Sequence, residues 1–141
     1  MNGHSAVSKM TRIRVLLADD NEEVLAHVRN GLSREFDVVG TAKNGTSAVA
    51  EVRRLKPDIL VIDISMPLMS GLEAVSYLRP HTTTRIVFLT VHKGEDYIAA
   101  AFAAGASAYV AKTDVESDLV PAIMQALKGE TFISESMTKS Q

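Results

Sequence analysis

The chain has 141 residues, 46% of them hydrophobic and 23% charged, with a formal net charge of −2 and no cysteine. This size and composition are typical of one soluble globular domain with a substantial core. The charge balance argues against direct binding to nucleic acid or to an anionic membrane, and the lack of cysteine excludes disulfides and thiolate metal sites.

The chain divides into three parts by composition. Residues 1–11 are polar and contain no apolar core, so they predict a flexible leader rather than a signal peptide. Residues 12–129 carry the periodic apolar segments and predict the globular domain. Residues 130–141 are polar and predict a tail or the start of a linker to a further domain. No segment is long enough to span a bilayer, so we expect a cytoplasmic protein that makes no membrane contact.

Within the predicted domain, apolar strands alternate with amphipathic helices. In chain order, the strands are predicted at residues 13–18, 36–42, 58–64, 85–90 and 108–111. The helices that follow them are predicted at residues 21–32, 48–55, 72–78, 95–104 and 113–129, from apolar side chains at helical spacing. Thr113 and Glu116 have the spacing of a capping box at the start of the last helix.

The third strand decides the fold class. Its large aliphatic residues are Ile59, Leu60, Val61, Ile62 and Ile64. A nearly continuous apolar strand is covered on both faces, which is typical of parallel sheets. With right-handed crossovers, five strand–helix alternations predict an α/β fold: a flavodoxin-like, doubly wound (βα)5 three-layer sandwich. Its parallel five-stranded sheet is expected in the order 2-1-3-4-5.

Polar residues follow several of the predicted strands. Asp19 and Asp20 follow the first strand, Asp63 ends the third, Thr90 ends the fourth, and Lys112 follows the fifth. Functional groups gather at the carboxyl ends of parallel strands, so we expect these side chains to lie close together. Two carboxylates about 4 Å apart repel each other by about 4 kcal/mol at an effective dielectric constant of about 20. A divalent cation would relieve this repulsion, and an all-oxygen ligand set favours Mg²⁺ or Mn²⁺.

A purely structural interpretation of the same residues is also open. Asp19 and Asp20 could cap the first helix, and Asp63 could be a turn residue. Thr90 could be an ordinary β-branched strand end, and Tyr109 a half-buried aromatic residue of the sheet. The coincidence of three acidic residues with a lysine at one edge of the sheet favours a functional site.

The motifs at these strand ends resemble a known family. They are Val15-Leu-Leu-Ala-Asp-Asp20, Val61-Ile-Asp-Ile-Ser-Met-Pro67, Phe88-Leu-Thr90 and Ala108-Tyr-Val-Ala-Lys112. In this order they resemble the receiver (CheY-like) domain of bacterial two-component response regulators, over residues 12–129. The resemblance implies a phosphorelay domain that is not an enzyme, apart from self-phosphorylation and slow self-dephosphorylation.

The resemblance implies a role for each site residue. Asp63 would accept the phosphoryl group of a phosphohistidine on a sensor histidine kinase. Mg²⁺ would be bound by Asp20, Asp63 and the backbone carbonyl of Ser65, with Asp19 acting through water. Lys112 would pair with one phosphoryl oxygen and Thr90 would donate its hydroxyl to another. Tyr109 would swing inward as Thr90 moves, which makes Thr90 and Tyr109 the expected switch.

Two further features follow from the resemblance. Thr113 stands after Lys112 where many receivers have a proline, so no cis peptide is expected there. Ser65 and His92 occupy positions that tune dephosphorylation in this family, which leaves the lifetime of the phosphoryl group open. The four histidines lack ligand spacing and are interpreted as surface residues.

Other segments resemble the NarL/FixJ (LuxR-type) group of transcriptional regulators. They are Val38-Val-Gly-Thr-Ala-Lys-Asn-Gly45, Leu89-Thr-Val-His92, Ala104-Gly-Ala-Ser-Ala-Tyr109 and Lys128-Gly-Glu-Thr-Phe-Ile-Ser134. In that group a helix-turn-helix domain follows the receiver and binds DNA, and none is present in this sequence. Two expectations stay open: the receiver part of a longer DNA-binding regulator, or a stand-alone receiver that acts by protein contact. A homodimer formed on phosphorylation is also expected.

Three other classes of protein compete with this interpretation. A haloacid dehalogenase-type phosphatase also uses an aspartyl phosphate, but it has Asp-X-Asp after its first strand, whereas the residue two after Asp63 is Ser65. A flavodoxin-like carrier needs a phosphate-binding loop where Asp19 and Asp20 would repel a flavin phosphate. A pseudo-receiver without phosphorylation is disfavoured because every acidic and switch position is filled.

Overall fold

The structure is a computed structural model, and it describes residues 12–138; the predicted leader therefore lies outside the described residues. Its strands are β1 (Arg14–Ala18), β2 (Asp37–Ala42), β3 (Ile59–Ile62), β4 (Arg85–Thr90), β5 (Ala108–Ala111) and β6 (Phe132–Ile133). Its helices are α1 (Glu22–Leu32), α2 (Gly45–Leu55), α3 (Gly71–Leu78), α4 (Glu95–Ala104), α5 (Val115–Leu127) and α6 (Glu135–Thr138). Short 3₁₀ turns lie at Arg79–His81 and Lys112–Asp114.

The strands form one parallel sheet in the order β2-β1-β3-β4-β5-β6. This confirms the predicted flavodoxin-like fold and the order of the first five strands. The sixth strand was not predicted, and the five-stranded count is wrong for this reason. Phe132–Ile133 is only two residues long and lies in the segment that we assigned to a polar tail. So short a strand carries no periodicity that could identify it before its partner β5 is known.

The core lies in two layers, one on each face of the sheet. The strand side chains alternate between them: Leu16, Leu60 and Phe88 face α2, α3 and α4, whereas Leu17 and Val61 face α1 and α5. All four residues of β3 are buried, as expected for the central strand. Each fully buried large apolar side chain contributes about 1.5–3 kcal/mol relative to an exposed one. The two apolar layers therefore hold the carboxyl ends of β1, β3, β4 and β5 in fixed positions.

Capping side chains define where α1 and α2 begin. Asn21 accepts hydrogen bonds from the backbone of Glu23 and Val24 at α1, and Asn44 accepts one from Ser47 at α2. These bonds satisfy backbone N–H groups that have no partner within the helix.

A capping box is present at α3 and missing where it was predicted. Ser70 and Glu73 each accept a hydrogen bond from the other's backbone at the start of α3. The capping box predicted from Thr113 and Glu116 is wrong, because Thr113 lies in the 3₁₀ turn before α5. The helix follows Asp114, whose side chain makes no capping bond. No helix among residues 12–138 is both long and apolar enough to cross a membrane.

Candidate phosphoacceptor and metal site

Three carboxylates and one ammonium meet at the carboxyl edge of the sheet. Asp19 follows β1, Asp63 follows β3 and Lys112 follows β5, and the parallel arrangement brings all three to one edge. Asp19 and Asp63 are buried, whereas Asp20 is exposed. One carboxylate oxygen from each aspartate lies within 4.8 Å of the others. The predicted convergence of these four side chains is therefore present.

Lys112 bridges the two buried carboxylates. Its Nζ lies 2.8 Å from Asp19 Oδ2 and donates a hydrogen bond of 2.8 Å to Asp63 Oδ2. Burial alone lowers the pKa of Lys112, but the hydrogen bonds and charges of Asp63 and Asp19 more than offset it and raise the pKa above its ordinary value. The ammonium is consequently charged at neutral pH.

One lysine does not neutralise this cluster. Three carboxylates against one ammonium leave a formal charge of −2 at the edge of the sheet. Asp63 Oδ1 is buried and has no hydrogen-bond donor among the described residues, whereas the other buried oxygen without a well-formed hydrogen bond, Asp19 Oδ2, is only 2.8 Å from the Lys112 ammonium. Buried polar atoms are almost always partnered, so Asp63 Oδ1 is suited to a ligand.

The donor set fits a hard divalent cation. Asp20 and the unpartnered Asp63 Oδ1 offer carboxylate oxygens, which Mg²⁺ and Mn²⁺ prefer. Asp19 is more restrained, because its Oδ1 accepts a hydrogen bond of 2.9 Å from the backbone N–H of Asn21. An acidic site that could hold a metal ion is thus formed by Asp19, Asp20 and Asp63.

The backbone of the β3–α3 loop holds Asp63 tightly. The Gly71 N–H donates a hydrogen bond of 2.6 Å to the Ile64 carbonyl. A Cβ atom at Gly71 would collide with the carbonyl oxygen of Asp63, and one at Gly45 would collide with the carbonyl of Met69. Glycine is required at both positions because backbone segments approach each other there more closely than a side chain allows.

Thr90 occupies the strand between those of Asp63 and Lys112. It ends β4, pairs with Ala111 of β5 and is fully buried. Its Oγ1 accepts a hydrogen bond of 3.2 Å from the backbone N–H of His92. The hydroxyl is therefore engaged with its own loop, beside the carboxylate cluster.

Tyr109 lies inside the domain, beneath the same loop. Its side chain is fully buried, its ring centroid is 6.4 Å from that of Phe88, and its hydroxyl donates a hydrogen bond of 2.7 Å to the His92 carbonyl. Burial raises the pKa of the Tyr109 phenol well above its ordinary value, and the nearby charge of Asp63 acts in the same direction. The ring lies inward in this structure, while the Thr90 hydroxyl contacts its own loop. The coupled movement of Thr90 and Tyr109 therefore stays a prediction.

Sequence reasoning missed the pairing of Ser65 with His92. Ser65 Oγ and His92 Nε2 are 2.7 Å apart, and the His92 ring stacks on Tyr97 with centroids 4.5 Å apart. His92 is half-buried rather than a plain surface histidine, whereas His27 and His81 are exposed as expected. The two partners lie in different loops 27 residues apart, and no local pattern indicates that they meet.

The fold and this site define a class of protein. A flavodoxin-like sheet with an acidic cluster and a lysine at its carboxyl edge is the arrangement of a receiver domain. The family described as "Response regulator receiver domain" matches residues 15–124. The chain belongs to the response regulator receiver family.

Named relatives place it within one group of two-component regulators. The chain is 35% identical over 127 residues to the nitrate/nitrite response regulator protein NarL of Escherichia coli strain K12. The matched region covers 88% of this chain and 59% of NarL. It is similar to a LuxR-family two-component response regulator from Aurantimonas sp. SI85-9A1, with a TM-score of 0.84, 32% identity, and coverage of 90% of this chain and 93% of that one.

A third relative is an isolated receiver domain. It is that of RcsB from Salmonella enterica serovar Typhimurium, solved with the phosphomimetic BeF₃⁻, with a TM-score of 0.81 and 26% identity. The match covers 90% of this chain and 96% of that one. Against NarL, by contrast, the chain spans about three-fifths of the relative's length. The chain is thus a receiver domain of the NarL type.

Proposed function

We propose that Asp63 is the phosphoacceptor of a two-component signalling system. The observation that carries this proposal is the buried, unpartnered Asp63 Oδ1, which lies beside two further carboxylates and the Lys112 ammonium. Such an oxygen is held in place, oriented and available for attack. The donor would be the phosphohistidine of a sensor histidine kinase, which is the partner that receiver-family membership supports.

The reaction is a phosphoryl transfer. A carboxylate oxygen of Asp63 forms a bond to phosphorus as the P–N bond of the phosphohistidine breaks, and the electron pair returns to the imidazole nitrogen. The product is an aspartyl phosphate. Lys112, which already contacts Asp63, pairs with a phosphoryl oxygen and neutralises part of its charge. Hydrolysis returns the carboxylate, so slow self-dephosphorylation completes the cycle.

A divalent cation completes the proposed site. Asp20, Asp63 and the backbone carbonyl of Ser65 would bind Mg²⁺ or Mn²⁺ directly, with Asp19 acting through water. When bound, the ion would neutralise charge on the equatorial phosphoryl oxygens and so favour transfer of the phosphoryl group to the Asp63 oxygen. Asp20 is exposed at the edge of the cluster, which gives the ion access from solvent.

Thr90 and Tyr109 are the proposed switch. A phosphoryl group adds about −1.5 to −2 charge and strong acceptor oxygens. The Thr90 hydroxyl would leave its contact with the His92 N–H and donate to one of these oxygens. Tyr109 would respond because its hydroxyl is bonded to the His92 carbonyl in the same loop.

The proposed output is transcriptional. Similarity to NarL and to a LuxR-family regulator supports a helix-turn-helix domain outside this sequence, and DNA would be bound only through that domain. The alternative is a stand-alone receiver that acts by protein contact. Sequencing the gene beyond codon 141 decides between them: an open reading frame that encodes a helix-turn-helix supports the first. Both alternatives place the protein in the cytoplasm, where a kinase and its ATP are available.

A second copy of the chain is the partner proposed for a groove between α1 and α5. This groove has a volume of about 360 Å³, and apolar residues such as Val28, Leu119 and Val120 line it. The groove lies between the first and the last helix of the predicted (βα)5 domain, and we propose this face as the dimer interface. Dimers on phosphorylation, measured by analytical ultracentrifugation, support the proposal, and a Val120→Asp variant that still dimerises contradicts it.

Modification of Asp63 by a small acyl-phosphate donor tests the central proposal. In the presence of Mg²⁺, we expect intact mass spectrometry to detect one phosphoryl group on the chain, and EDTA to prevent its addition. Asp63→Asn should abolish the modification, whereas the matched control Asp96→Asn, at an exposed position of α4, should retain it.

Two results would contradict this assignment. Phosphorylation of the Asp63→Asn variant would exclude Asp63 as the acceptor. Multiple turnover of a phosphate ester would instead favour the aspartyl-phosphate phosphatase class.

A further inference from the structure

Residues 130–138 form a segment that packs along the free edge of β5; we call it the C-terminal strap. Its strand β6 pairs in parallel with β5, opposite Ala108 and Tyr109. The Ser134 N–H donates a hydrogen bond of 2.9 Å to the Tyr109 carbonyl. The strap is therefore bonded directly to the backbone of a proposed switch residue.

Ser134 attaches the strap through its side chain as well. It is fully buried; its Oγ accepts a hydrogen bond of 3.1 Å from the Ala111 N–H and donates one of 2.6 Å to Asp118 Oδ2 of α5. Ser136 Oγ donates a hydrogen bond of 2.6 Å to Asp114 Oδ2, in the turn that begins with Lys112. The Ser134 hydroxyl thus extends the cover of the β5 edge beyond β6, at the point where β5 leads into the site.

Met137 gives the strap its apolar anchor. Its side chain is 1% exposed and belongs to the core layer that contains Tyr109 and Ala101. Its carbonyl accepts a hydrogen bond of 3.3 Å from the Gly94 N–H, at the start of α4. Gly94 ends the loop that carries His92, with a φ of 114°, and it caps α4 without a side-chain bond. The strap therefore holds the loop that Thr90 and Tyr109 also contact.

These attachments bond the strap to Tyr109 itself and to Gly94, which is two residues from His92 in the loop after Thr90. We propose that the strap is a latch whose docking is coupled to occupancy of Asp63, so that phosphorylation loosens it; this rests on the proposed phosphoacceptor function. In the structure, the Thr90 hydroxyl accepts a hydrogen bond from the His92 N–H while the strap is docked. Movement of Thr90 toward a phosphoryl group displaces residues 91–94, which breaks the Gly94–Met137 bond and loosens the packing of Met137.

Thermodynamic linkage makes this coupling reciprocal. If occupancy of Asp63 weakens docking of the strap, a variant with a weakened strap must bind the phosphoryl mimic more tightly by the same factor. Couplings of this kind are typically about fivefold to 150-fold. The prediction concerns binding affinity, so it is independent of any output domain.

Amide hydrogen exchange tests the coupling in the unaltered chain. We expect beryllofluoride with Mg²⁺ to accelerate exchange of the Ser134 and Met137 amides by about fivefold or more. The Val28 amide, in α1 on the opposite face of the sheet, is the internal reference and should change little. Unchanged or slower exchange in the strap, with the mimic bound, overturns the proposal.

Two variants test the reciprocal arm. Met137→Ala and Ser134→Ala should each raise the affinity for beryllofluoride by about fivefold, measured by titration calorimetry with Mg²⁺ present. The matched control is Met124→Ala, the same substitution at a position of α5 that is 46% exposed, and it should leave the affinity unchanged. Wild-type affinity in both strap variants contradicts the latch.

The failure of the latch and the failure of the phosphoacceptor function give different results. Binding of beryllofluoride without an effect on the strap would contradict the latch proposal and leave the phosphoacceptor function intact. If the wild-type chain neither binds beryllofluoride nor is labelled at Asp63 by an acyl phosphate, the proposed function is contradicted, and the latch proposal with it.

Discussion

Helices α3 and α4 pack on the same face of the sheet and flank the same site, yet they are anchored very differently. α3 begins with the Ser70–Glu73 capping box and buries four of its eight residues. α4 begins at Gly94 without a side-chain cap and buries one of its ten residues, Ala101. The loop before α3 fixes Asp63, whereas the loop before α4 carries the proposed switch. The reacting group thus lies on the firmly held side and the responding group on the loosely held side.

Gly71→Ala is expected to have the largest effect, because it disrupts the tightly packed loop between β3 and α3. The added Cβ would collide with the Asp63 carbonyl, and neither backbone segment can move without disturbing the site. We expect the free energy of unfolding to fall by about 3 kcal/mol in urea titrations. Gly31→Ala is the control: nothing lies within 4 Å of its Cβ, and in a helix it should stabilise by up to about 1 kcal/mol. Equal effects of the two substitutions would show that the loop is not tightly packed.

Native-state amide exchange compares the two helices directly. α4 has no side-chain cap and buries fewer of its residues than α3 does. We therefore expect the interior amides of α4 to exchange about tenfold faster than those of α3. This ratio corresponds to a difference of about 1.4 kcal/mol in the free energy of opening. Ala101 and Val75, the buried residues at the middle of each helix, are the informative pair. Equal protection of the two would contradict the proposed contrast.

Ser70→Ala should have the smallest effect. It leaves α3 without a side-chain cap, which is the condition of α4. It removes the hydroxyl that accepts the Glu73 N–H, and loss of such a cap costs about 1 kcal/mol of stability. Thermal unfolding followed by circular dichroism measures the change. Ser76→Ala, at an exposed position within the same helix, is the control and should be neutral or slightly stabilising. A loss at Ser76 equal to that at Ser70 would rule out the cap as the cause.

The sequence was sufficient for the central features because local patterns determine them. The apolar run at Ile59–Ile62 identified the buried strand, and strand–helix alternation with right-handed crossovers predicted a doubly wound parallel sheet. The convergence of Asp19, Asp63 and Lys112 followed, since each stands at the carboxyl end of a parallel strand. Periodicity and strand polarity are properties of the sequence alone.

The features that the sequence did not predict depend on tertiary contacts. The Ser65–His92 hydrogen bond joins two loops whose separation is set by the β3–β4 pairing. β6 is a strand only because the edge of β5 offers it hydrogen-bond partners. The Tyr109 hydroxyl donates a hydrogen bond to the His92 carbonyl, 17 residues away along the chain. No residue pattern within a short window encodes these arrangements.

The strap also has a consequence for solubility. The edge of a parallel sheet exposes unpaired N–H and C=O groups that can recruit a strand from another molecule. Here two residues of β6 and the Ser134 hydroxyl occupy that edge at β5. A chain shortened to end at Gly129 would uncover it and gain a tendency to self-associate through strand addition. The residues that follow α5 therefore reduce the exposure of a sheet edge that could cause aggregation, independently of any role in signalling.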